Sequence, residues 1–311
     1  MKILITGALG HIGSRFIHDL KSGDFSEVVL LDDFSTQRYC SLFNLPSGVP
    51  FRFVEADVCR ADLEKLFAGM DAVIHLAAIT NAAGSFENQG QVEKVNYDGT
   101  ERVARACVAA KCRLIFLSTT SVYGTQAEAV DESCALEHLK PQSPYAESKL
   151  RAERLLAKLG ESEGLRFVTC RFGTIYGVSP GMRFHTAVNK FAWQACLGLP
   201  LTVWRTALHQ RRPYLDLHDA VRALQFILKQ DLFDRQIYNV LTDNLTVNDV
   251  VDALRKLVAV VQVNLVDAQI MNQLSYTVKN DRFRALGFEF TGNYRQALTE
   301  TVKLLENVRH K

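Results

Sequence analysis

Short apolar runs alternate with longer amphipathic stretches through the first 175 residues of this 311-residue chain. The runs at 28–31 and 114–117 are continuously apolar instead of alternating between apolar and polar positions. Strands covered by helices on both faces have this composition, whereas a strand with one solvated face alternates. The order of strands and helices therefore predicts an α/β fold with a doubly wound parallel sheet. The predicted strands are 2–6, 28–32, 51–56, 72–77, 114–118 and 167–171, and the predicted helices are 12–21, 63–68, 92–110 and 145–159.

The regular alternation ends near residue 175, where glycine and proline interrupt the chain at 177–181. We therefore expect one large domain over residues 1–174 and a smaller C-terminal α/β lobe over 175–311. The chain is expected to return to the large domain around 214–240. A cleft between two such units is a natural binding site. The predicted elements of this half are helices at 185–197 and 294–308, a helix after Asp219 and a strand at 201–204.

Composition excludes several classes of protein. Hydrophobic residues make up 48% and charged residues 23% of the chain, an ordinary globular balance, and the net charge of +2 indicates no basic surface for nucleic acid. The apolar run at 3–5 is too short for a secretion signal, and no stretch approaches the roughly 18 apolar residues of a membrane span. Seven cysteines without a CxxC pair are typical of reduced thiols. We expect a cytoplasmic protein with no nucleic-acid, membrane or metal partner.

Three glycines, Gly7, Gly10 and Gly13, stand between the first predicted strand and the first predicted helix. Glycines at this spacing permit a tight turn, close approach of a pyrophosphate to backbone N–H groups, and close packing of helix on strand. The positive N-terminal end of the following helix favours the phosphates. A plain turn is the alternative interpretation, but the position between strand and helix favours dinucleotide binding.

The second predicted strand ends at Asp32, 19 residues after Gly13. A carboxylate at this place accepts hydrogen bonds from the adenosine ribose and repels a 2′-phosphate. Asp32 therefore favours NAD over NADP. A solvated loop acid or a helix cap is the alternative interpretation, and Arg38 offers a cation that would tolerate a 2′-phosphate.

Tyr145 and Lys149 are four residues apart in a predicted helix, so both side chains lie on one face. A nearby ammonium lowers the pKa of a phenol from its usual value of about 10 and makes the phenolate a useful base. The hydroxyl residues 119–121 follow the strand at 114–118, and ligands of doubly wound sheets gather at such strand ends. An ordinary amphipathic helix and a polar turn are the alternatives.

Six ordered motifs together resemble the extended short-chain dehydrogenase/reductases, most closely their nucleotide-sugar epimerase and dehydratase branch. The resemblance covers nearly the whole chain and implies a Rossmann-type sheet, a C-terminal substrate-binding lobe, an NAD cofactor and a nucleotide-sugar substrate. The motifs are TGALGHIG (6–13), HLAA (75–78), VNYDGT (95–100), STTSVYG (118–124), YAESK (145–149) and RFGTIYG (171–177).

The resemblance also implies a role for individual residues. Tyr145 would be the acid/base, Lys149 would bind the nicotinamide ribose and tune Tyr145, and Thr119 would be the active-site hydroxyl. The substrate would contact Thr119, Tyr145, Thr120, Thr174 and, at its diphosphate, Arg212. The cofactor would contact Tyr145 and Lys149 as well as Gly7, Gly10 and Gly13 at the pyrophosphate, Asp32 at the adenosine ribose, Asp57 and Val58 at the adenine, and Ala77, Ala78 and Asn96 at the nicotinamide half.

Departures from the family's pattern bear on the activity. Thr120 and Ser121 stand where dehydratases of this branch place an Asp-Glu pair, so a nucleotide-sugar epimerase is the favoured activity. A 4-epimerase would oxidise the sugar to a keto intermediate and return the hydride to its other face. Thr174 replaces a common substrate-binding Asn, and 204–210 lacks a Gly-rich turn, which leaves sugar and nucleotide open.

Two alternatives to the epimerase share the same motifs. A nucleotide-sugar ketoreductase would use every catalytic residue named above but would release oxidised cofactor. A catalytically silent NAD-sensing protein would retain the fold alone. The resemblance further implies a homodimer built on the helices 92–110 and 145–159, which carry apolar residues beyond a single stripe.

Overall fold

The structure, a computed structural model, describes residues 1–126, 129–267 and 275–308. Seven of its strands are β1 (Lys2–Thr6), β2 (Glu27–Asp32), β3 (Phe51–Glu55), β4 (Ala72–His75), β5 (Arg113–Thr119), β6 (Phe167–Phe172) and β10 (Ile237–Val240). They form one parallel sheet in the order β10-β6-β5-β4-β1-β2-β3. The predicted Rossmann-type α/β fold with a doubly wound parallel sheet is confirmed.

Helices cover both faces of this sheet and create two separate apolar cores. In β2, Val28 and Leu30 pack into one core with α1, while Val29 and Leu31 pack into the other with α4 and α5. Apolar side chains on both faces of a strand explain the unbroken apolar runs in the sequence. The covering helices are α1 (His11–His18), α2 (Leu63–Phe67), α4 (Gly99–Ala110), α5 (Pro144–Ser162) and α7 (Leu217–Lys229), while the short helix α3 (Gln89–Glu93) packs on α5.

The single helix predicted over 92–110 is wrong in one respect, because a π-helical turn at Lys94–Asp98 separates α3 from α4. The wider turn carries Asn96, whose carbonyl accepts a 2.6 Å hydrogen bond from the Thr100 hydroxyl. Such turns are rare, occur frequently at functional sites and leave no clear periodicity in the sequence.

The smaller lobe is built on the chain after β6. The strands β7 (Thr174–Tyr176), β9 (Arg211–Asp216) and β11 (Asp243–Thr246) form one sheet, and β8 (Leu201–Trp204) pairs with β12 (Val263–Val266). Their apolar faces pack against α6 (Ala187–Cys196), α8 (Val247–Arg255) and α10 (Tyr294–Leu305), and α9 (Asp281–Arg284) lies next to β10. The chain returns to the large sheet through α7 and β10.

The loop 177–183, called here the crossing loop, lies directly against the turn that joins β1 to α1. Gly181 donates its N–H to the Ser14 hydroxyl at 2.9 Å, and Arg15 donates to the Val178 carbonyl at 3.3 Å. A Cβ on Gly181 would lie 2.3 Å from the Leu9 carbonyl oxygen, so only glycine fits here. The crossing loop thus brings the start of the smaller lobe onto the first glycine-rich turn.

The reason given for a homodimer does not hold. Val103, Ala106, Leu156 and Leu159, expected at a helical interface, are buried in the core of the single chain. The apolar residues of α4 and α5 cover more than one face of each helix because the two helices pack on the sheet and also on each other. A homodimer therefore rests on the family resemblance alone.

Candidate active site

A cavity of about 580 Å³ opens at the carboxyl ends of the central strands, beneath the smaller lobe. Ligands of doubly wound sheets bind at this edge, where strand order reverses. The structure brings together in its wall the predicted residues Gly7, Gly10, Gly13, Ala78, Thr119, Tyr145, Lys149, Thr174 and Arg212. The other predicted site residues are not among the described residues that line the cavity. They are Asp32, Asp57, Val58, Ala77, Asn96 and Thr120.

The glycine-rich turn is shaped by backbone contacts that no side chain would permit. Gly7 has φ +65°, and a Cβ there would lie 2.6 Å from the Ala77 nitrogen. A Cβ on Gly13 would lie 2.4 Å from the Ala8 carbonyl oxygen, so α1 packs closely on the turn. The residues at the start of α1, from Gly10 to Gly13, line the cavity, so a pyrophosphate bound there would meet the N-terminal end of a helix. The residues present fit a dinucleotide, and Ala77 serves this turn through its backbone.

Asp32 ties the end of β2 to the glycine-rich turn. Its two carboxylate oxygens accept hydrogen bonds from the Leu9 and Phe34 nitrogens, each at 3.0 Å. Burial raises the pKa of Asp32. A carboxylate has about four acceptor sites, so the two bonds leave capacity for ribose hydroxyls.

The residues expected near the adenine lie after β3. Asp57 accepts a 2.8 Å hydrogen bond from the Cys59 nitrogen, while the Val58 side chain packs into the core beside α4. With its side chain in the core, Val58 offers a ligand only its backbone.

Asn96 lies behind the cavity and holds its wall in place. Its amide donates to the Ile79 carbonyl at 2.9 Å and accepts from the Ile79 nitrogen at 2.8 Å. It also contacts the Ser148 hydroxyl of α5 at 3.3 Å. The π-helical turn thus fastens the loop after β4 to the helix that carries Tyr145.

Thr119, Tyr145 and Lys149 meet at one side of the cavity. Ser143 caps α5 by accepting a hydrogen bond from the Ala146 nitrogen at 3.2 Å, so the helix begins just before Tyr145. Thr119 ends β5, and its side chain is hydrogen-bonded to Tyr145. The predicted spacing of Tyr145 and Lys149 on α5 places both side chains in the cavity wall.

The charges around Tyr145 differ from those expected. Burial raises the pKa of Tyr145, while the positive charge of Arg183 and the hydrogen bond from Thr119 oppose this rise. Burial lowers the pKa of Lys149 to about 8, against the charge of Glu153. The cation that lowers the Tyr145 pKa most is therefore Arg183 of the crossing loop, where the sequence had suggested Lys149.

A buried ion pair supports α5 behind these residues. Glu153, one turn after Lys149, accepts two hydrogen bonds from Arg171 of β6, at 3.0 and 2.7 Å. The Ser118 hydroxyl of β5 also donates to Glu153, and the Arg171 guanidinium lies 4.9 Å from the centre of the Tyr123 ring. One carboxylate thus joins the catalytic helix to the two strands beneath it.

The lining residues that the sequence did not predict include three with polar or aromatic side chains from the second half of the chain. Arg183 comes from the crossing loop, Trp204 ends β8, and Tyr276 precedes α9. Tyr276 is hydrogen-bonded to Thr120 and Ser121, which fills the space beside those hydroxyls. No spacing pattern marks these residues, because each comes from a different part of the chain.

Residues 1–126, 129–267 and 275–308 contain neither a membrane-spanning helix nor a metal-binding cluster. No helix in these ranges is long and apolar enough to cross a membrane. No group of His, Cys, Asp and Glu side chains there is arranged to hold a metal ion.

The glycine-rich turn fits a dinucleotide, and Thr119, Tyr145 and Lys149 line the same cavity of a doubly wound sheet. Together these features define a dinucleotide-dependent enzyme of the short-chain dehydrogenase/reductase class. The chain belongs to the NAD dependent epimerase/dehydratase family, whose model matches residues 3–240. Structural neighbours are complexes with NAD, and NAD is the cofactor of this family.

The relatives act on nucleotide sugars. An uncharacterized UDP-glucose epimerase of Bacillus subtilis is 33% identical over 237 residues, covering 73% of this chain and 72% of that protein. The UDP-glucose 4-epimerase of Thermus thermophilus with NAD has a TM-score of 0.86 at 26% identity, covering 99% and 100% of the two chains. The structure of the UDP-glucuronic acid 4-epimerase of Bacillus cereus with UDP-glucuronic acid and NAD has a TM-score of 0.86 at 27% identity. The match covers 98% of this chain and 100% of that chain.

The chain spans 38% of a further relative, a trifunctional UDP-glucose dehydratase, epimerase and reductase of Arabidopsis thaliana that is 34% identical over 260 residues. The similar proteins are thus NAD-dependent nucleotide-sugar epimerases and dehydratases, and this chain is an enzyme acting on a nucleotide sugar.

Proposed function

We propose that the chain is a nucleotide-sugar 4-epimerase. One observation carries this choice over a dehydratase: none of the described residues that line the cavity is Asp or Glu. Elimination of water needs an acid and a base beside the sugar. Around Thr119 the wall instead offers hydroxyl groups, including Ser121 and Tyr276. Hydroxyls of this kind suit an exchange of hydride without elimination.

In the proposed reaction, Tyr145 as phenolate takes the proton from the C4 hydroxyl and later returns it. Thr119 hydrogen-bonds the same oxygen, and Lys149 keeps positive charge beside the phenolate. Bound NAD supplies the hydride chemistry, held by Gly7, Gly10 and Gly13. After oxidation the keto sugar turns over in the cavity, so that reduction occurs on its opposite face.

The remaining assignments follow from position and from the relatives. Arg212 lies in the wall with a planar guanidinium that matches the diphosphate of the substrate. Thr174 lies at the start of β7, where it would contact the sugar. We assign a cytoplasmic location and a homodimer on the family resemblance.

Cofactor choice is expected to follow Asp32. The wild type should bind NAD more tightly than NADP, and Asp32→Ala should narrow the difference by about tenfold, since it removes a ribose acceptor and a repelling charge. Titrating both cofactors measures the two dissociation constants. Asp33→Ala is the matched control, because that carboxylate caps only the Ser35 nitrogen of its own turn. A wild type that prefers NADP would assign selectivity to Arg38 and favour the ketoreductase.

The net reaction distinguishes the proposed activity from its alternatives. The enzyme, without added oxidant or reductant, is incubated with UDP-, GDP-, CDP- and dTDP-sugars while the sugar and NADH absorbance are followed. Epimerisation should give a new isomer without steady change in NADH, and deuterium at the reacting carbon should remain in the product. Stoichiometric consumption of NADH or NADPH would establish the ketoreductase. Absence of turnover with every sugar would favour the catalytically silent protein.

A further inference from the structure

Arg183 is a half-buried cation whose hydrogen bonds to the described residues leave a buried donor unused. It lines the cavity from the crossing loop, and one terminal nitrogen donates to the Thr80 hydroxyl. Its Nε is buried and has no hydrogen-bond partner among the described residues. The described salt bridges of the chain do not include Arg183 either. A guanidinium carries five donors, so this one retains capacity for a ligand.

The surroundings of Arg183 are positively charged. Burial and the charge of Arg38 lower the pKa of Arg183 to about 10, and Arg183 in turn lowers the pKa of His11 and His185. A buried charge without a counter-ion is costly. No described Asp or Glu lines the cavity, so a bound molecule can supply the anion that this cation lacks.

The other arginine and lysine side chains of the wall already have assigned partners. A Cβ on Gly10 would lie 4.0 Å from an Arg38 nitrogen, so Arg38 borders the pyrophosphate cradle. Arg212 is assigned to the substrate diphosphate and Lys149 to the nicotinamide ribose. Arg183 instead acts on Tyr145, where the sugar reacts, and its charge is the main electrostatic influence lowering the pKa of that phenol. Arg183 is thus the cation of the cavity wall that these assignments leave available to the sugar.

We propose that Arg183 binds a carboxylate on the sugar, so that the substrate is a nucleotide-linked uronic acid. This inference rests on the proposed epimerase function and specifies its substrate class. The planar fork of a guanidinium matches a carboxylate in two-point geometry. The hydroxyls of Ser121 and Thr174, which line the same cavity, are further donors for such a group.

The test compares UDP-glucuronic acid with UDP-glucose on the holoenzyme, measuring kcat/KM for 4-epimerisation of each. The wild type should favour the uronic acid by at least about tenfold, the value of one charge-assisted hydrogen bond. With each enzyme compared at the pH where its own rate has reached its plateau, so that a shifted Tyr145 pKa does not contribute, Arg183→Gln should lower kcat/KM for the uronic acid by about 10- to 100-fold and for the neutral sugar by less than about threefold. Arg183→Lys keeps the positive charge but lacks the planar guanidinium. Its kcat/KM for the uronic acid should therefore lie between the values of the wild type and Arg183→Gln.

Arg205→Gln is the matched control, since Arg205 is largely exposed and its ion pair with Asp267 spans 3.5 Å at the surface. Both rates should stay unchanged in that variant. NAD retained after desalting and thermal unfolding are measured for every variant. If Arg183→Gln retains as much NAD as the wild type, the result supports a role of Arg183 at the sugar and not at the cofactor.

Two results would overturn the carboxylate assignment. One is a wild type that epimerises UDP-glucose as well as or better than the uronic acid, and this leaves the epimerase proposal intact. The other is an Arg183→Gln variant that loses NAD and slows on both sugars equally, which would assign Arg183 to the cofactor. The wild-type preference decides the matter even where a variant fails to fold. Stoichiometric NADH consumption without isomer would instead contradict the epimerase itself.

Discussion

Replacing Tyr145 with Phe should leave NAD bound and lower kcat by about 10²- to 10⁴-fold, the usual contribution of a general acid/base group. The variant removes one oxygen and keeps the ring, so α5 and the cavity wall should keep their shape. Thr119 would lose its hydrogen-bond partner but retain its bond from the Ser121 nitrogen at 3.1 Å. Turnover and copurified NAD are measured on the same preparation.

Tyr276→Phe is the matched control for this experiment, because it removes a second phenol from the same wall. Its hydroxyl is bonded to Thr120 and Ser121, so we expect a loss below about tenfold, the value of one neutral hydrogen bond. A Tyr145→Phe variant that keeps more than about a tenth of the wild-type rate would contradict the assigned role. Equal losses in both variants would mean that either phenol serves as base.

The rate should also depend on pH through Tyr145. The base is active when deprotonated, so kcat/KM should rise with pH until the phenol is ionised. Burial raises the pKa of Tyr145 and the charge of Arg183 opposes that rise, so removing this charge should move the rising limb to higher pH.

Replacing Glu153 with Met should lower the free energy of unfolding by about 3–5 kcal/mol, the usual cost of leaving one member of a buried ion pair alone. Arg171 would remain buried with a positive charge and no carboxylate. The side chains of Glu153 and Arg171 are only 4% and 2% exposed, so water cannot replace the lost partner. Urea unfolding of the NAD-free protein gives the difference in free energy.

The double variant Glu153→Met, Arg171→Met tests the cause. Replacing both charges with apolar side chains should restore most of the lost stability, because a buried pair is often no better than its apolar substitute. Glu101→Gln is a surface comparison, since its pair with Arg105 is half exposed and such pairs contribute about 0–1 kcal/mol. A loss below about 1 kcal/mol in Glu153→Met would show that Arg171 finds another partner or solvent.

The features predicted from sequence are those determined by nearby residues. The apolar runs gave the strands of the large sheet, because Val28 and Val29 face opposite cores and both must be apolar. The spacing of Tyr145 and Lys149 determines their shared face once a helix forms. Gly7 and Gly13 were predicted from their spacing between a strand and a helix, and the structure shows that a Cβ at either position would clash with the backbone.

Residues placed by tertiary structure escaped prediction. Arg183 and Tyr276 reach the cavity from loops, so no local period marks them. Asn96 was expected beside the nicotinamide, but a π-helical turn directs its amide to Ile79. The prediction of a dimer interpreted the additional apolar residues on two helices as a subunit interface. Packing within one chain accounts for these residues.

The contact at Gly181 sets how far apart the two lobes stand. The carbonyl oxygens of Leu9 and Gly10 lie close to the Cα of Gly181. A Cβ added there would be only 2.3 Å and 2.8 Å from these two oxygens. A side chain at this position would push the crossing loop outward and carry Arg183, two residues later, away from Tyr145. A position outside the cavity wall therefore constrains the width of the cleft, and with it the place from which Arg183 reaches the cavity.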